Sequence, residues 1–209
     1  LVQKTHNYLM GLIDGVGSES LYYKQSLILR ESPWLADADD NDFGAELEDG
    51  SLVDVLFGSP NLPSSLLTQF FSKIEGQPTQ LSIVSPYWDS ELNSLRGFWK
   101  KFDSVPTKIW LNIKDTDLSL SHFPIEQLPA DSEVDFFQTP DLVAGRFPHA
   151  KIICIHTKDH DYLLFGSANC TYAALGSQTL SGMNDEACVF RRLPKGSLFA
   201  VLGLNENQP

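Results

Sequence analysis

The sequence predicts an α/β fold, a mixed β-sheet flanked by helices, and three observations support this prediction. From residue 64 onward, short apolar runs alternate with stretches whose apolar residues recur every three or four positions. Two apolar runs, near 150–156 and 161–166, are separated by a short polar stretch, as in an antiparallel strand pair. The 209 residues are 42% hydrophobic, enough for one core or for one domain with an appendage.

The segment from residue 64 to residue 113 supplies the first regular elements. Ser64 or Ser65 can cap a helix that continues to Ile74, and Gly76 ends it. A strand, a helix and a second strand follow, at 81–84, from Asp89 or Ser90 to 102, and at 108–113.

The remaining elements complete the sheet. A strand is predicted at 133–137, then the strand pair, a helical segment from Thr171 and a last strand at 186–190. This order of strands and helices is typical of a mixed sheet with helices on its faces.

The first 63 residues predict a separate segment. Residues 1–30 predict a helix, a loop and a short helix or strand, with a glycine-rich break at 11–17. Residues 31–63 predict a long connection with little regular structure, because they are acidic and hold three prolines. We therefore divide the chain into an N-terminal segment, 1–63, and a domain, 64–209.

The charge of the chain is unevenly distributed. The formal net charge is -12, which argues against a general nucleic-acid-binding surface. Residues 31–60 carry nine acidic residues and no Lys or Arg, whereas residues 140–200 have a net charge of +1. A negatively charged ligand is therefore not repelled from the C-terminal third.

The apolar runs, the N-terminus and the cysteines bear on the cellular location of the protein. No apolar run is long enough to span a membrane and no secretory signal is visible, so we expect a cytoplasmic protein that does not associate with membranes. The three cysteines have no metal-ligand spacing, and we expect reduced, buried thiols at Cys154, Cys170 and Cys188.

The most informative stretch runs from residue 146 to residue 169. His149 and Lys151 are two residues apart on a predicted strand, so their side chains point to the same face. The next strand ends in a Gly-Ser-x-Asn turn, in which Gly166 frees the backbone and Ser167 and Asn169 add a hydroxyl and an amide. A nucleophile, a cation and hydrogen-bond donors together predict a site for a phosphoryl group.

These residues resemble the signature of the phospholipase D superfamily. His149 and Lys151 match its His-x-Lys, and the Gly-Ser-x-Asn turn matches as well. The acidic residue Glu186 and the stretch 85–89, Ser-Pro-Tyr-Trp-Asp, also look like the pattern of its bacterial nuclease-like branch. The resemblance covers about residues 64–203 and implies a phospholipase D-like single repeat with one copy of the motif.

The resemblance implies a role for each residue. His149 attacks phosphorus and forms a phosphohistidine, with Glu186 as the candidate that orients its ring. Lys151 and Asn169 bind phosphate oxygens, and Ser167 either binds phosphate or fixes the turn. No metal ion and no cofactor is expected. The chain departs from the pattern at His156, where the family has Asp; we expect His156 and His160 to be solvated hairpin residues, with the edge of the site as an alternative for His156.

The implied reaction needs two histidines, one to attack and one to protonate the leaving oxygen. Two explanations stay open: a homodimer supplies the second motif, or the chain, which begins with Leu1, is a piece of a longer protein. The predicted function is metal-independent phosphodiester hydrolysis, with nucleic acid, DNA above all, as the expected substrate and partner. The alternatives are a non-catalytic phosphate-binding or dimerisation module of a larger defence or repair protein, and a phospholipase-type lipid headgroup hydrolase.

Overall fold

The computed structural model describes residues 1–35, 44–111, 123–138 and 149–197. Its helices are α1 Val2–Val16, α2 Glu19–Glu31, α3 Leu66–Phe71, α4 Asn93–Phe102 and α5 Tyr172–Leu175. Its strands are β1 Ala45–Glu46, β2 Leu52–Gly58, β3 Gln80–Val84, β4 Thr107–Leu111, β5 Val134–Gln138, β6 Ile152–His156, β7 His160–Gly166 and β8 Glu186–Pro194. The predicted order of elements from residue 64 onward is confirmed.

The described strands form one mixed sheet in the order β1-β2-β8-β7-β6-β3-β4-β5. Strands β3, β4 and β5 run parallel to one another, and the other neighbours are antiparallel. The predicted pair near 150–166 is the hairpin of β6 and β7, in which His156 lies opposite Asp161. The predicted α/β fold with a mixed sheet is therefore confirmed.

The main core lies between one face of the sheet and helices α3, α4 and α5. The helices present Leu67, Phe70, Leu95 and Phe98, all at most 1% exposed, to buried strand residues such as Ile83. Full burial of each such side chain stabilises the fold by about 1.5–3 kcal/mol. A second, smaller cluster forms around Cys154 and Leu163 on the opposite face.

The helix ends follow from local side-chain bonds. The Ser65 hydroxyl accepts a hydrogen bond from the Thr68 N–H at 3.0 Å and caps α3, as predicted, but the helix ends at Phe71 rather than Ile74. Helix α4 begins at Asn93, later than predicted. The Asp89 carboxylate accepts a hydrogen bond from the Asn93 N–H at 2.5 Å across the turn that precedes the helix.

The N-terminal part differs most from the prediction. Helix α1 continues through Gly11 and Gly15 to Val16, and Gly17, which has a φ of 65°, caps it. The expectation of little regular structure over 31–63 is wrong for β2, whose seven residues pair with β8 in the same sheet. The division at residue 63 stays a prediction, but the sheet takes a strand from the segment before it. The acidic stretch 37–42 and the end of the predicted strand, 112–113, lie outside the described residues.

The cysteines are free and buried, as predicted. Burial raises the pKa of the Cys170 thiol well above its usual value, with a smaller effect of the Asp89 charge. Burial also raises the pKa of Cys188 to about 11. Within the described ranges, no helix is both long enough and apolar enough to cross a bilayer.

Candidate active site

The residues of the motif meet at one edge of the sheet, where β7 ends and where β6 and β8 begin. The Gly166 N–H donates to the Lys151 carbonyl at 3.3 Å, and the Ser167 N–H donates to the Ala187 carbonyl at 3.1 Å. Neighbouring strands lie about 4.8 Å apart, so these hydrogen bonds bring the His-x-Lys segment, the turn and the start of β8 side by side.

Strand β6 begins at Ile152, so His149 and Lys151 lie directly before it. The prediction that they are strand residues is therefore wrong, although they adjoin the strand. Their side chains nevertheless meet. The Lys151 ammonium nitrogen lies 3.2 Å from Nε2 and 3.3 Å from Nδ1 of His149. His149 is exposed and Lys151 is half-buried, so a solvent-accessible imidazole stands beside a partly buried cation.

Gly166 permits the turn that follows β7. Its φ is +156°, and a Cβ at this position would lie 2.7 Å from the Cα of Cys188 on the neighbouring strand. A side chain would therefore push β7 and β8 apart, which is why glycine suits this position.

Ser167 connects the turn to β8. Its hydroxyl donates a short hydrogen bond to Oε2 of Glu186 and accepts one from the Ala187 N–H at 2.9 Å. Of the two predicted roles for Ser167, these contacts correspond to fixing the turn, because the hydroxyl has a single proton to donate.

Glu186 is buried, with 6% of its surface exposed, and both of its carboxylate oxygens accept hydrogen bonds. Oε2 accepts from Ser167, and Oε1 accepts from the Asn184 amide at 3.1 Å. These bonds hold the carboxylate at the same edge as His149 and Lys151. Its predicted role in orienting the His149 ring stays a prediction.

Asn169 brings an amide to the turn. Its Oδ1 atom is buried and makes no hydrogen bond within the part of the chain that the structure describes. Buried polar atoms are nearly always hydrogen-bonded, so an unsatisfied one at a candidate site marks a position where a ligand can bind. Rotating the amide by 180° would present its N–H₂ group, a donor for a phosphate oxygen, at the same place.

Tyr87 lies within the stretch 85–89 that resembles the superfamily pattern, but the sequence alone predicts no individual role for it. Its ring meets the His149 ring edge to face, with centroids 6.0 Å apart, and 50% of its surface is exposed. The segment that carries it is held by Ser85, whose Oγ accepts from the Cys170 N–H at 2.9 Å. Asp89 accepts from the Tyr172 N–H at 3.2 Å, so residues 85–89 are joined to the chain just after Asn169.

Helix α1 also reaches this edge, through Tyr8. The Tyr8 hydroxyl donates to the Gly58 carbonyl at 3.3 Å and lies 3.4 Å from Oδ1 of Asp185. Burial, the Asp185 carboxylate and the Glu186 charge, in that order, raise the pKa of Tyr8 to about 12. No local sequence pattern predicts this contact, because residue 8 and residue 185 meet only through the fold.

His156 lies at the other end of β6 and is not a solvated hairpin residue. It is 5% exposed, Nδ1 lies 2.8 Å from Oδ1 of Asp161, and Nε2 lies 2.8 Å from the Ser82 hydroxyl. Strand β6 separates it from the candidate site by roughly 13 Å, so the alternative that His156 lines the site edge is also wrong. Asp161 lies directly opposite His156 on β7.

Comparisons with known proteins find similarity in structure alone. No protein-family model and no curated protein matches this chain. The chain is similar to Nuc from Salmonella typhimurium, a phospholipase D family member, with 18% identity over 72% of this chain and 88% of that one and a TM-score of 0.44. NucT from Helicobacter pylori has 14% identity over 68% of this chain and 85% of that one, with a TM-score of 0.43.

A yeast tyrosyl-DNA phosphodiesterase has 15% identity over 66% of this chain and a TM-score of 0.44, and the match spans 45% of that enzyme. The superfamily whose signature the motifs resemble is thus represented among the structures to which this chain is similar.

Proposed function

We propose that this protein is a phosphodiesterase that works through a phosphohistidine on His149. The observation that carries the proposal is the position of the Lys151 ammonium, 3.2 and 3.3 Å from the two ring nitrogens of an exposed histidine. A nucleophilic imidazole beside a cation suits transfer of a phosphoryl group, because the cation neutralises the charge that builds on its oxygens.

The proposed first step transfers the phosphoryl group to the histidine. A ring nitrogen of His149 forms a bond to phosphorus while the bond from phosphorus to the leaving oxygen breaks. Negative charge builds on the other phosphate oxygens, where Lys151 neutralises it and the Asn169 amide donates a hydrogen bond. Water then cleaves the bond between nitrogen and phosphorus and regenerates the imidazole.

Ser167 and Glu186 act as positioning residues in this proposal. Ser167 bonds to Glu186 and to the backbone of Ala187, which fixes the end of β7 against the start of β8. The Glu186 carboxylate would orient the His149 ring and stabilise the imidazolium form. In this scheme the cationic side chain performs the charge neutralisation that a metal ion performs in other phosphodiesterases.

A second histidine must protonate the leaving oxygen; His6 lies on α1 and His122 lies outside the described residues, and neither is followed by a lysine two positions later. His156 and His160 both lie at the far end of the hairpin, so neither can act here. We therefore propose that His149 of a second copy, or a second motif in a longer chain, completes the site. A solution mass measurement on the active species separates these two sources.

The proposed substrate is nucleic acid, with DNA as the first candidate. The half-exposed Tyr87 ring beside His149 offers a surface on which a base can stack, and such stacking is worth about 1–3 kcal/mol per base. Residues 140–200 carry a net charge of +1 within an otherwise acidic chain, so this region does not repel a polyanion.

The test compares three substrates on wild-type protein, His149→Ala and a matched control, His160→Ala. Labelled single-stranded DNA, duplex DNA and phosphatidyl vesicles are incubated with each protein, with and without a chelator. The proposal expects DNA cleavage by wild type and His160→Ala, none by His149→Ala, and no loss with chelator while circular dichroism shows the chain folded. Turnover of vesicles alone would instead identify a lipid headgroup hydrolase, and DNA binding without cleavage a non-catalytic module.

A further inference from the structure

A second group of reactive side chains lies at the far end of β6 and β7, away from the candidate active site. The Cys154 thiol, the His156 ring and the Asp161 carboxylate place one ligand atom each within 4.8 Å of one another, and all three residues are buried. We propose that these three side chains form a binding site for a transition-metal cation, for which Zn²⁺ is the best chemical match.

The β-hairpin brings the three ligands together. Cys154 and His156 are two residues apart on β6, so they share a face of the sheet, and Asp161 lies directly opposite His156 on β7. The spacing of the cysteines does not reveal this site, because its ligands are of three different residue types on two strands. It is independent of the proposed phosphodiesterase, since β6 lies between the two sites.

The distances fit a small cation with modest adjustment. Zn²⁺ binds sulfur at about 2.3 Å and nitrogen or oxygen at about 2.0–2.2 Å, so tetrahedral ligand atoms lie roughly 3.3–3.6 Å apart. Sγ of Cys154 lies 3.8 Å from Nδ1 of His156, close to this range. Nδ1 lies 2.8 Å from Oδ1 of Asp161, and this pair must open by about 0.5 Å to admit the ion.

The atoms that would not bind the ion are each held by a separate neighbour. Nε2 of His156 lies 2.8 Å from the Ser82 hydroxyl, which can accept its proton and so leave Nδ1 with a lone pair for the metal. Oδ2 of Asp161 accepts from the Gly196 N–H at 2.9 Å, which leaves Oδ1 turned toward the histidine and the thiol. Metal-binding histidines and carboxylates are typically oriented by such outer contacts.

The charges of the proposed site balance. A thiolate and a carboxylate carry two negative charges and Zn²⁺ carries two positive charges, so the loaded cluster is neutral, as a buried group should be. Binding replaces the thiol proton of Cys154, which leaves to solvent, and the imidazole keeps one proton on Nε2. The mixture of sulfur, nitrogen and oxygen ligands favours Zn²⁺ over Mg²⁺ or Ca²⁺, which prefer oxygen ligands alone.

The test measures metal content and the spectrum of a cobalt-substituted protein. The whole chain is stripped of metal under reducing conditions, incubated with Zn²⁺, desalted and analysed for bound zinc; we expect one ion per chain. With Co²⁺ in place of Zn²⁺ we expect a thiolate-to-cobalt charge-transfer band in the near ultraviolet. Cys154→Ser should lose this band, while Cys188→Ser, a buried cysteine on the opposite face of the sheet, should keep it.

Two results would overturn the proposal. Wild-type protein that retains no zinc and develops no cobalt band would mean that the cluster is a hydrogen-bonded network only, and this outcome needs no variant to fold. A band that survives in Cys154→Ser would assign the thiolate to another residue. Neither result bears on phosphodiester cleavage, which is measured with the His149 variants.

Discussion

The two ends of the β6–β7 hairpin carry histidines in opposite settings. At the open end, His149 is exposed and stands beside the Lys151 ammonium. At the closed end, His156 is 5% exposed and both of its ring nitrogens have polar neighbours, Ser82 and Asp161. The same residue type at the two ends of one hairpin can therefore serve chemistry or stability. Solvent access and the charge of the nearest neighbour distinguish the two settings.

The largest expected effect is the loss of activity on removing the exposed imidazole. His149→Ala should lower kcat by at least about 10⁴-fold, because the covalent route has no other nucleophile. Its free energy of unfolding should stay within about 0.5 kcal/mol of wild type, since the side chain is exposed. Cleavage kinetics and urea unfolding on the same samples check both parts. Comparable rates in wild type and His149→Ala would contradict the prediction.

The charge beside the exposed imidazole should matter next. Lys151→Met keeps much of the side-chain volume but removes the cation, and we expect kcat to fall about 10²–10³-fold, as for the loss of one transition-state stabilising donor. Lys158→Met, in the exposed turn at the closed end of the hairpin, is the matched control and should leave the rate unchanged. An equal effect of the two substitutions would indicate a general role of positive charge rather than a positioned cation.

At the closed end the effect should be on stability instead of rate. Asp161→Asn removes the charge that faces buried His156, and we expect a loss of about 2–4 kcal/mol in the free energy of unfolding. The rate per folded molecule should not change. Chemical unfolding of this variant and of His160→Ala, expected within about 0.5 kcal/mol of wild type, provides the measurement. A stable Asp161→Asn with reduced activity would reverse the assignment of the two ends.

Ser167 tests how the open end is held together. Ser167→Ala leaves one oxygen of the buried Glu186 carboxylate without its donor, and we expect a destabilisation of about 1–2 kcal/mol. If Ser167 positions rather than reacts, kcat falls by about tenfold at most, far less than for the nucleophile. A decrease in kcat as large as that of His149→Ala would instead make Ser167 a catalytic residue.

The smallest effect concerns Cys188, which pairs with Gly166 behind the open end. Burial raises the pKa of its thiol to about 11 in the folded chain. The unfolded chain therefore loses the thiol proton at a lower pH than the folded chain does. The stability that comes from the neutral thiol is complete below the pKa of the unfolded thiol and decreases as the pH rises toward 11. We expect a decrease of about 1 kcal/mol between pH 8 and pH 9.5. Unfolding curves of wild type and Cys188→Ala at both pH values should differ in this decrease; identical pH dependence would contradict it.

Much of the fold follows from local sequence. The Ser65 cap, the apolar faces of α3 and α4, and the polar turn between β6 and β7 are short-range signals, and the structure contains each of them. Strand β2 was missed because its neighbours are acidic and proline-rich, and its partner β8 lies some 130 residues along the chain. The composition of residues 31–63 indicates an exposed connection, whereas the formation of β2 depends on pairing with a strand that is distant in the sequence.

The site shows the same limit. The pairing of His149 with Lys151 and the turn at Gly166 are predictable because each depends on a few adjacent residues. Tyr8 reaches the same edge through the fold, and nothing in its local sequence indicates it. Tyr87 lies in the stretch 85–89 that resembles the superfamily pattern, but its contact with His149 depends on the fold. The burial of His156 was likewise not predictable. The polar residues that follow it correctly indicated a turn, but they did not indicate that the end of β6 is buried.

In the proposed reaction, His149 becomes covalently bound to the phosphoryl group. The most direct measurement mixes the protein with a short labelled oligonucleotide, quenches under alkaline conditions, and maps the adduct by peptide mass spectrometry. We expect an adduct on the peptide that carries His149, present in His160→Ala and absent in His149→Ala. Continued cleavage by His149→Ala, or an adduct on a different residue, would contradict it.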